Sequence, residues 1–368
     1  MPLPIICLDA ELRHFAEEFR SELSKPQYQH FVTVLLGLMQ CEGASTLLGM
    51  LRQVADGASE ASLSRFLSKA PWEAGCVSER CFARFRRQMQ SPVAAEHERQ
   101  RQARPKGRGR PKAAVVTGYL IGDDSTIHKR KGKKMEGLGR HHSSSEGKRV
   151  VGHSLVQGLY VLLGRRCPLA PQLYRQQSVS KKEGVVFQSK IALMLERIRT
   201  FEPVPGTQTH VLLDSWYTAK VIWQAARARG FLITSGLKCN RSLRVEDDSA
   251  PQGWRWQNLS DYAAGLKAED YVLCTWPNQG TQRQVYVHVV TTRVKKLYCC
   301  QVVIARESLD APLSQASYWA SSDLEADVAT LLIHITSRWD VEVFFGDGKE
   351  LLGLDQYQLM SATAILRL

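Results

Sequence analysis

No run of about 18 consecutive apolar residues occurs anywhere in the chain, so no membrane-crossing helix is expected. The opening, MPLPIICLDAELRHF, has neither a basic start nor a long apolar stretch, and it does not read as a secretion signal. Internal repeats are absent. Cysteine occurs nine times without framework spacing. Cys76 and Cys81 have no second pair to match them, and the adjacent Cys299 and Cys300 cannot share one ordinary zinc site. All nine are expected as reduced thiols in a reducing, cytoplasmic compartment. Acidic residues are in short supply, 36 Asp and Glu against 49 Lys and Arg, leaving a net charge of +13. That excess favours a polyanionic partner, nucleic acid before an anionic membrane surface. With 368 residues, 44% of them hydrophobic, the chain has material for two or three domains.

Residues 1–98 read as helical. Phe31, Val34, Leu35 and Leu38 recur at helical spacing, as do Leu47, Leu48, Leu51 and Val54. Asp56-Gly57 breaks that pattern, and Ser59 caps a further helix carrying Leu63, Phe66 and Leu67. The pair fits either a helix-turn-helix or a plain helical hairpin. A third helix, roughly 77–96, carries Arg80, Arg84, Arg86 and Arg87. From 99 to 114 the chain is a basic linker. Seven of the fourteen residues RQRQARPKGRGRPK are Lys or Arg. Arg108-Gly109-Arg110-Pro111 resembles an AT-hook, in which an extended arginine pair enters the narrow minor groove of A·T-rich DNA. A linker touching phosphates without entering the groove is the other reading.

After residue 115 the periodicity turns to strands. Val115–Asp124, Val151–Leu163 and Cys167–Gln176 are apolar or alternating runs. Phe187–Phe201 reads as a helix and His210–Asp214 as a strand buried on both faces. Thr218–Arg229 is a helix, and Phe231–Ser235 the next strand. This predicts a mixed sheet with a βαβ crossover over 115–239. Residues 240–322 read as a β-rich insertion that leaves that sheet, and helical pattern returns over 323–368.

Three acidic positions fit one site. Asp124 falls at the predicted end of the first strand, and Asp214 at the carboxyl end of the buried strand HVLLD. Ligands of open α/β sheets bind at such strand ends. An ionised Asp beside four apolar residues calls for a partner, although Asp214 also suits a helix N-cap. The third is Glu342, in SRWDVEVFFGDGK. At about 100° per residue, Arg338, Glu342 and Lys349 fall within roughly 40° on one face of a helix spanning Arg338–Lys349. Taken alone, Arg338 and Glu342 would be a surface salt bridge at i, i+4.

Together, these positions resemble the DDE transposases of bacterial insertion sequences, a branch of the RNase H-like superfamily. The similarity is to the group whose last helix carries Tyr, Arg, Glu and Lys separated by two, three and six residues. Arg338, Glu342 and Lys349 match in type and spacing, whereas the Tyr position holds Ile335. Asp124-Ser125-Thr126 matches the first aspartate, which precedes small hydroxyl residues. VLLDSWYTAKVIWQAARARGFLITSGLK matches the second, and the β-rich insertion before the Glu is typical of the group. The resemblance covers about 115–368.

It implies an RNase H-like mixed sheet with flanking helices, interrupted by the insertion and preceded by an all-helical DNA-binding domain. It implies that Asp124, Asp214 and Glu342 hold two Mg²⁺ ions, with Mn²⁺ able to substitute, and that Arg338 and Lys349 neutralise phosphate oxygens. The implied reaction is phosphodiester hydrolysis at the element's ends, followed by attack of the freed 3′-OH on target DNA. The implied partners are double-stranded DNA and a second copy of the chain, on the bacterial nucleoid. Two further readings stay open: a catalytically inactive DNA-binding derivative, and a metal-dependent nuclease without strand transfer.

Adjacent strand residues face opposite ways, so only one of Asp123 and Asp124 enters the site. Asp124 is chosen because it directly precedes Ser125-Thr126, and Asp124→Ala is expected to abolish cleavage while Asp123→Ala spares it. The loop His128–Lys134 supplies Lys129, Arg130 and Lys131 for DNA backbone contact. His141, His142 and His153 lack a zinc spacing. Several tryptophans lie outside clear core runs and offer stacking faces for bases, although ordinary core packing suits any one of them better.

Overall fold

The computed structural model describes residues 10–40, 45–55, 58–103, 115–130, 132–143, 146–278 and 281–368, with the side chains of 277–282 left aside. Among the described residues, five α-helices come first: α1 (Ala10–Glu17), α2 (Lys25–Met39), α3 (Leu47–Leu51), α4 (Glu60–Ser68) and the long α5 (Ala74–Gln102). The α2 start follows from its sequence. Ser24 caps it, Gln27 reaches back to the Ser24 amide at 2.7 Å, and Pro26 sits in the first turn, where no amide hydrogen is needed. Ser59 caps α4 as expected. No helix among the described residues is long and apolar enough to cross a membrane.

The rest is a mixed α/β structure with an RNase H-like sheet. Its first strands are β1 (Val116–His128), β2 (Gly139–Ser143), β3 (Lys148–Leu162), β4 (Arg165–Pro168) and β5 (Gln172–Tyr174). Helices α6 (Gln177–Glu183) and α7 (Lys190–Thr200) lead to β6 (Thr207–Leu213), then α8 (Lys220–Ala228) to β7 (Leu232–Gly236). There follow β8 (Ser242–Glu246), β9 (Trp254–Asn258), α9 (Leu259–Ala264), β10 (Val272–Asn278), β11 (Thr281–Arg293), β12 (Cys299–Arg306) and β13 (Ser317–Ser321). The chain closes with α10 (Val328–Ser337), α11 (Asp340–Glu350) and α12 (Ala362–Arg367).

The main sheet has the order β10-β11-β12-β13-β7-β6-β1-β3-β2. β1, β6 and β7 run parallel; the other pairings described for it are antiparallel. One face is covered by α5, α7 and α8, through Phe85, Met89, Met194, Ile198 and Trp223. On the opposite face Ile121, Leu159 and Leu212 meet Val341 and Phe345 of α11. Next to them, α10 lays Leu331, Leu332 and Ile335 on the β11 and β12 side chains Val285, Val287 and Val303.

Three expectations change. β1 does not end at Asp124; it runs on to His128 because β3 keeps pairing with it as far as Gly152. The segment 240–322 does not leave the sheet. Its β13 pairs with β7, Trp319 opposite Gly236, so β10–β13 extend the same sheet and only β8–β9 form a separate ribbon. Finally, α5 runs past residue 98 and packs its Phe85, Met89 and Val93 into the sheet's own core. Arg80, Arg84 and Arg87 on α5 pair with Glu22 and Glu18 of the preceding helical segment.

Candidate active site

Register decides which aspartate meets which. β1 and β6 pair in parallel up to Gly122 opposite Leu213. One residue further on, Asp123 therefore lies level with Asp214. The alternation of the strand puts Asp123 on the face of Ile121, and Asp214 on that of Leu212, where both look towards α11. The Asp123 side chain is 18% exposed. Burial pushes its carboxyl up to about 7, with the nearby Asp214 charge adding to the effect and Arg338 opposing it. Asp214 Oδ1 accepts the Trp216 amide at 2.6 Å and so caps the short 3₁₀ turn Ser215–Tyr217.

Arg338 joins this pair to Glu342. Its guanidinium lies 3.4 Å from Asp123 Oδ2 and 2.5 Å from Glu342 Oε1. The arginine side chain is only 8% exposed, against 39% for Glu342. The rings of Trp319 and Trp339 flank it, 5.9 and 5.1 Å from their centroids. The helix expected over Arg338–Lys349 starts two residues later, at Asp340, and Arg338 and Trp339 form the turn before it. The preceding α10 ends at Ser337. Both turn residues keep right-handed helical dihedrals, which preserves the i, i+4 pairing of Arg338 with Glu342. Ile335, in the place of the expected Tyr, is buried in the core between α10 and the β11–β12 strands.

Asp124 faces the other way. Its Oδ1 accepts the Tyr217 hydroxyl at 2.9 Å, and its Oδ2 takes the Lys190 ammonium of α7 and the Ser154 hydroxyl. The sequence-based choice of Asp124 therefore lands on the α7 face, and Asp123 is the residue brought beside Asp214, Arg338 and Glu342. The signal was present in the sequence: Asp123 shares the strand parity of Tyr119 and Ile121, as Asp214 shares that of Leu212. The Ser125-Thr126 neighbourhood pointed instead to Asp124, on the opposite face of the strand.

The basic positions divide as well. Lys129 is not a surface contact. It is 6% exposed, and its ammonium donates to the Asp355 and Tyr357 carbonyls at 2.8 and 2.7 Å while lying over the Tyr357 ring. Burial lowers it to about 8. Arg130 and Lys349 line an open cleft of about 780 Å³ together with Lys133, Lys134 and His128. Lys131 and the linker arginines Arg108 and Arg110 lie outside the described residues. Of the histidines, His142 faces solvent, His141 is buried, and His153 is held between the Tyr357 hydroxyl and the Glu136 carbonyl. Trp223 is core, whereas Trp216 beside Asp214 is 60% exposed.

A family model described as DDE superfamily endonuclease matches residues 18–295. The match spans helices α2–α5, β1 with Asp123 and Asp124, and β6 with Asp214; it stops before Arg338, Glu342 and Lys349. No curated protein matches the chain.

Proposed function

The chain belongs to the DDE superfamily endonucleases, and on that premise we propose that it is the transposase of an insertion sequence, with Asp123, Asp214 and Glu342 as its catalytic carboxylates. The observation that carries this is the register of β1 on β6, which sets Asp123 level with Asp214 on the face covered by α11.

The three side chains offer only carboxylate oxygens, the donor set of hard divalent ions such as Mg²⁺ or Mn²⁺. A carboxylate pushed up by burial and by a neighbouring carboxylate charge, as Asp123 is, is also one that a cation would relieve. A pair of such ions, when bound, supplies Lewis-acid activation of water and of the leaving 3′-oxygen. Asp123 and Asp214 are held by strand pairing and by the cap on the Trp216 amide, so little reorganisation is required of them. Glu342 is the exposed member and can turn towards the strand ends. Arg338 then exchanges its contacts with Asp123 and Glu342 for the phosphate oxygens of the scissile strand. The guanidinium fork suits that geometry, and two tryptophans hold its plane. Lys349, Arg130, Lys133 and Lys134 run the DNA backbone along the adjoining cleft.

Hydrolysis at the element's ends leaves a 3′-OH, and the same residues serve its attack on target DNA, because only the nucleophile changes. Two ends cut together call for a dimer on DNA. Purified protein, Mg²⁺ and linear DNA carrying the element's terminal repeats test the proposal. Cleavage plus joining supports it, cleavage alone makes the chain a nuclease, and binding alone makes it an inactive derivative. Within that assay, Asp123→Asn is expected to lower cleavage by about a thousandfold or more, while Asp124→Asn, once folded, keeps most of it. The opposite pattern overturns the assignment of Asp123.

A further inference from the structure

Away from the three carboxylates, one group of side chains has its donor atoms gathered as if for a single ion. His210, Asp323 and His334 each offer a ligand atom, all within 4.8 Å of one another, and no other His, Cys, Asp and Glu set among the described residues does so. They come from three elements: His210 from the centre of β6, His334 from α10, and Asp323 from the segment just after β13. His210 is fully buried and His334 is 4% exposed.

The hydrogen bonds orient both rings. His210 Nε2 lies 2.8 Å from the Thr234 hydroxyl. Thr234 donates its own hydrogen to Ser321 Oγ, so its oxygen accepts from His210 Nε2–H. That leaves His210 Nδ1 as the bare nitrogen, and it is buried with no hydrogen-bond partner. His334 is anchored by Nδ1, 3.2 Å from the Tyr119 hydroxyl. Its Nε2 is likewise buried without a hydrogen bond, and Asp323 Oδ2 stands 3.9 Å away. Two unpartnered ring nitrogens are thus turned into one buried pocket beside a carboxylate, while the outer nitrogen of each ring is held by a hydroxyl. That is how metal-ligating histidines are ordinarily fixed. Burial also holds both imidazoles in the neutral form that a ligand needs, His334 lowered to about 4 and His210 below its usual range.

We propose that His210 Nδ1, His334 Nε2 and the Asp323 carboxylate bind one transition-metal ion of the zinc class, as a structural clip independent of the catalytic carboxylates. Two imidazoles and one carboxylate suit zinc better than magnesium, which prefers an all-oxygen shell. Bonds of about 2.0–2.2 Å in tetrahedral geometry set ligand atoms roughly 3.4 Å apart. The His334–Asp323 separation is close to that, and Asp323, 20% exposed in a connecting segment, has room to close in. A water from its open side completes the shell.

The clip has a structural consequence. β6 ends in Asp214, and α10 ends in Arg338. An ion between His210 and His334 fixes the helix to the strand about four residues below Asp214, and so fixes where Arg338 and the start of α11 sit over Asp123.

The test uses the full chain, stripped with a chelator and reloaded with Zn²⁺ alone, then passed through gel filtration for metal analysis. One equivalent per chain is expected for the wild type and for Asp123→Asn with Glu342→Gln. The ion should raise the melting temperature, and Co²⁺ in its place should give a tetrahedral visible spectrum without a thiolate charge-transfer band. Asp323→Asn at the pocket's rim should fold as the wild type by circular dichroism and bind zinc at least about tenfold more weakly. His334→Gln should retain none. The proposal is overturned if the wild type keeps no zinc, if Asp323→Asn binds it unchanged, or if the cobalt spectrum shows sulfur ligation.

Discussion

Asp123 and Asp124 are neighbours with opposite surroundings, and the difference is physical. Asp123 accepts the Asp124 amide on Oδ1 and shares the Arg338 guanidinium with Glu342, and Asp214 lies beside it. Asp124 is over-supplied, with an ammonium and two hydroxyls on two oxygens. That contrast supports the proposed roles, Asp124 as part of the scaffold and Asp123 as a catalytic carboxylate. The Lys190–Asp124 pair is mostly buried, 19% and 16% exposed, so breaking it from one side is costly. Lys190→Met is expected to destabilise the protein by about 3 kcal/mol in urea unfolding, because Asp124 is left charged and unpaired. Asp124→Asn combined with Lys190→Met should recover part of that loss. A double variant whose loss equals the sum of the two single losses would show that the pair is not coupled.

At the level of elements, the site depends on β1 lying tightly between β6 and β3. The β1–β3 contact includes Gly152, opposite His128, where a side chain would put its Cβ 2.0 Å from the Ile127 carbonyl oxygen. Backbone cannot move aside as a flexible side chain can, so β1 and β3 would have to part. Gly152→Ala is expected to cost about 3 kcal/mol or more in unfolding free energy, and hydrogen exchange should show the loss concentrated in β1 amides beyond Asp124. Uniform loosening of the whole sheet would count against this local cause. Much at this scale was legible. The helices near 190–200 and 220–228 and the strands near 207–213 and 232–236 follow from periodicity and caps. The pairing of β13 with β7 was not, since strands more than 80 residues apart carry no local mark of becoming neighbours.

Across the whole molecule, the segment after α11 ties the N-terminal helices to the sheet. Tyr357, Leu359, Ala362 and Ile365 share one core with Leu63, Phe66 and Trp72 and with Ile127 and Leu155 of β1 and β3. Lys129 and His153 clasp Tyr357 from the sheet side. His153 makes this junction sensitive to acid. Burial lowers its imidazole from the usual 6.5 to about 4. Between those limits the unfolded chain binds a proton that the folded one refuses, so stability falls as pH drops from 6.5 towards 4. One proton corresponds to a slope of about 1.4 kcal/mol per pH unit. His153→Gln should flatten the acid limb of the stability profile by about that much, read from urea unfolding at a series of pH values. An unchanged slope would assign the acid sensitivity elsewhere.

By itself the sequence determined the basic character, the sequence of helices and strands around the second aspartate, and the family resemblance carried by its acidic positions. Those are local matters of composition, spacing and hydrophobic period. Tertiary structure decided which of two adjacent aspartates turns towards Glu342, because that depends on strand parity read against a partner strand. It decided that Lys129 is a buried strut and Arg130 a cleft residue, because that depends on where a segment more than 220 residues away returns. It also brought together His210, Asp323 and His334, three residues with no common motif, whose relation exists only once β6, β13 and α10 are packed.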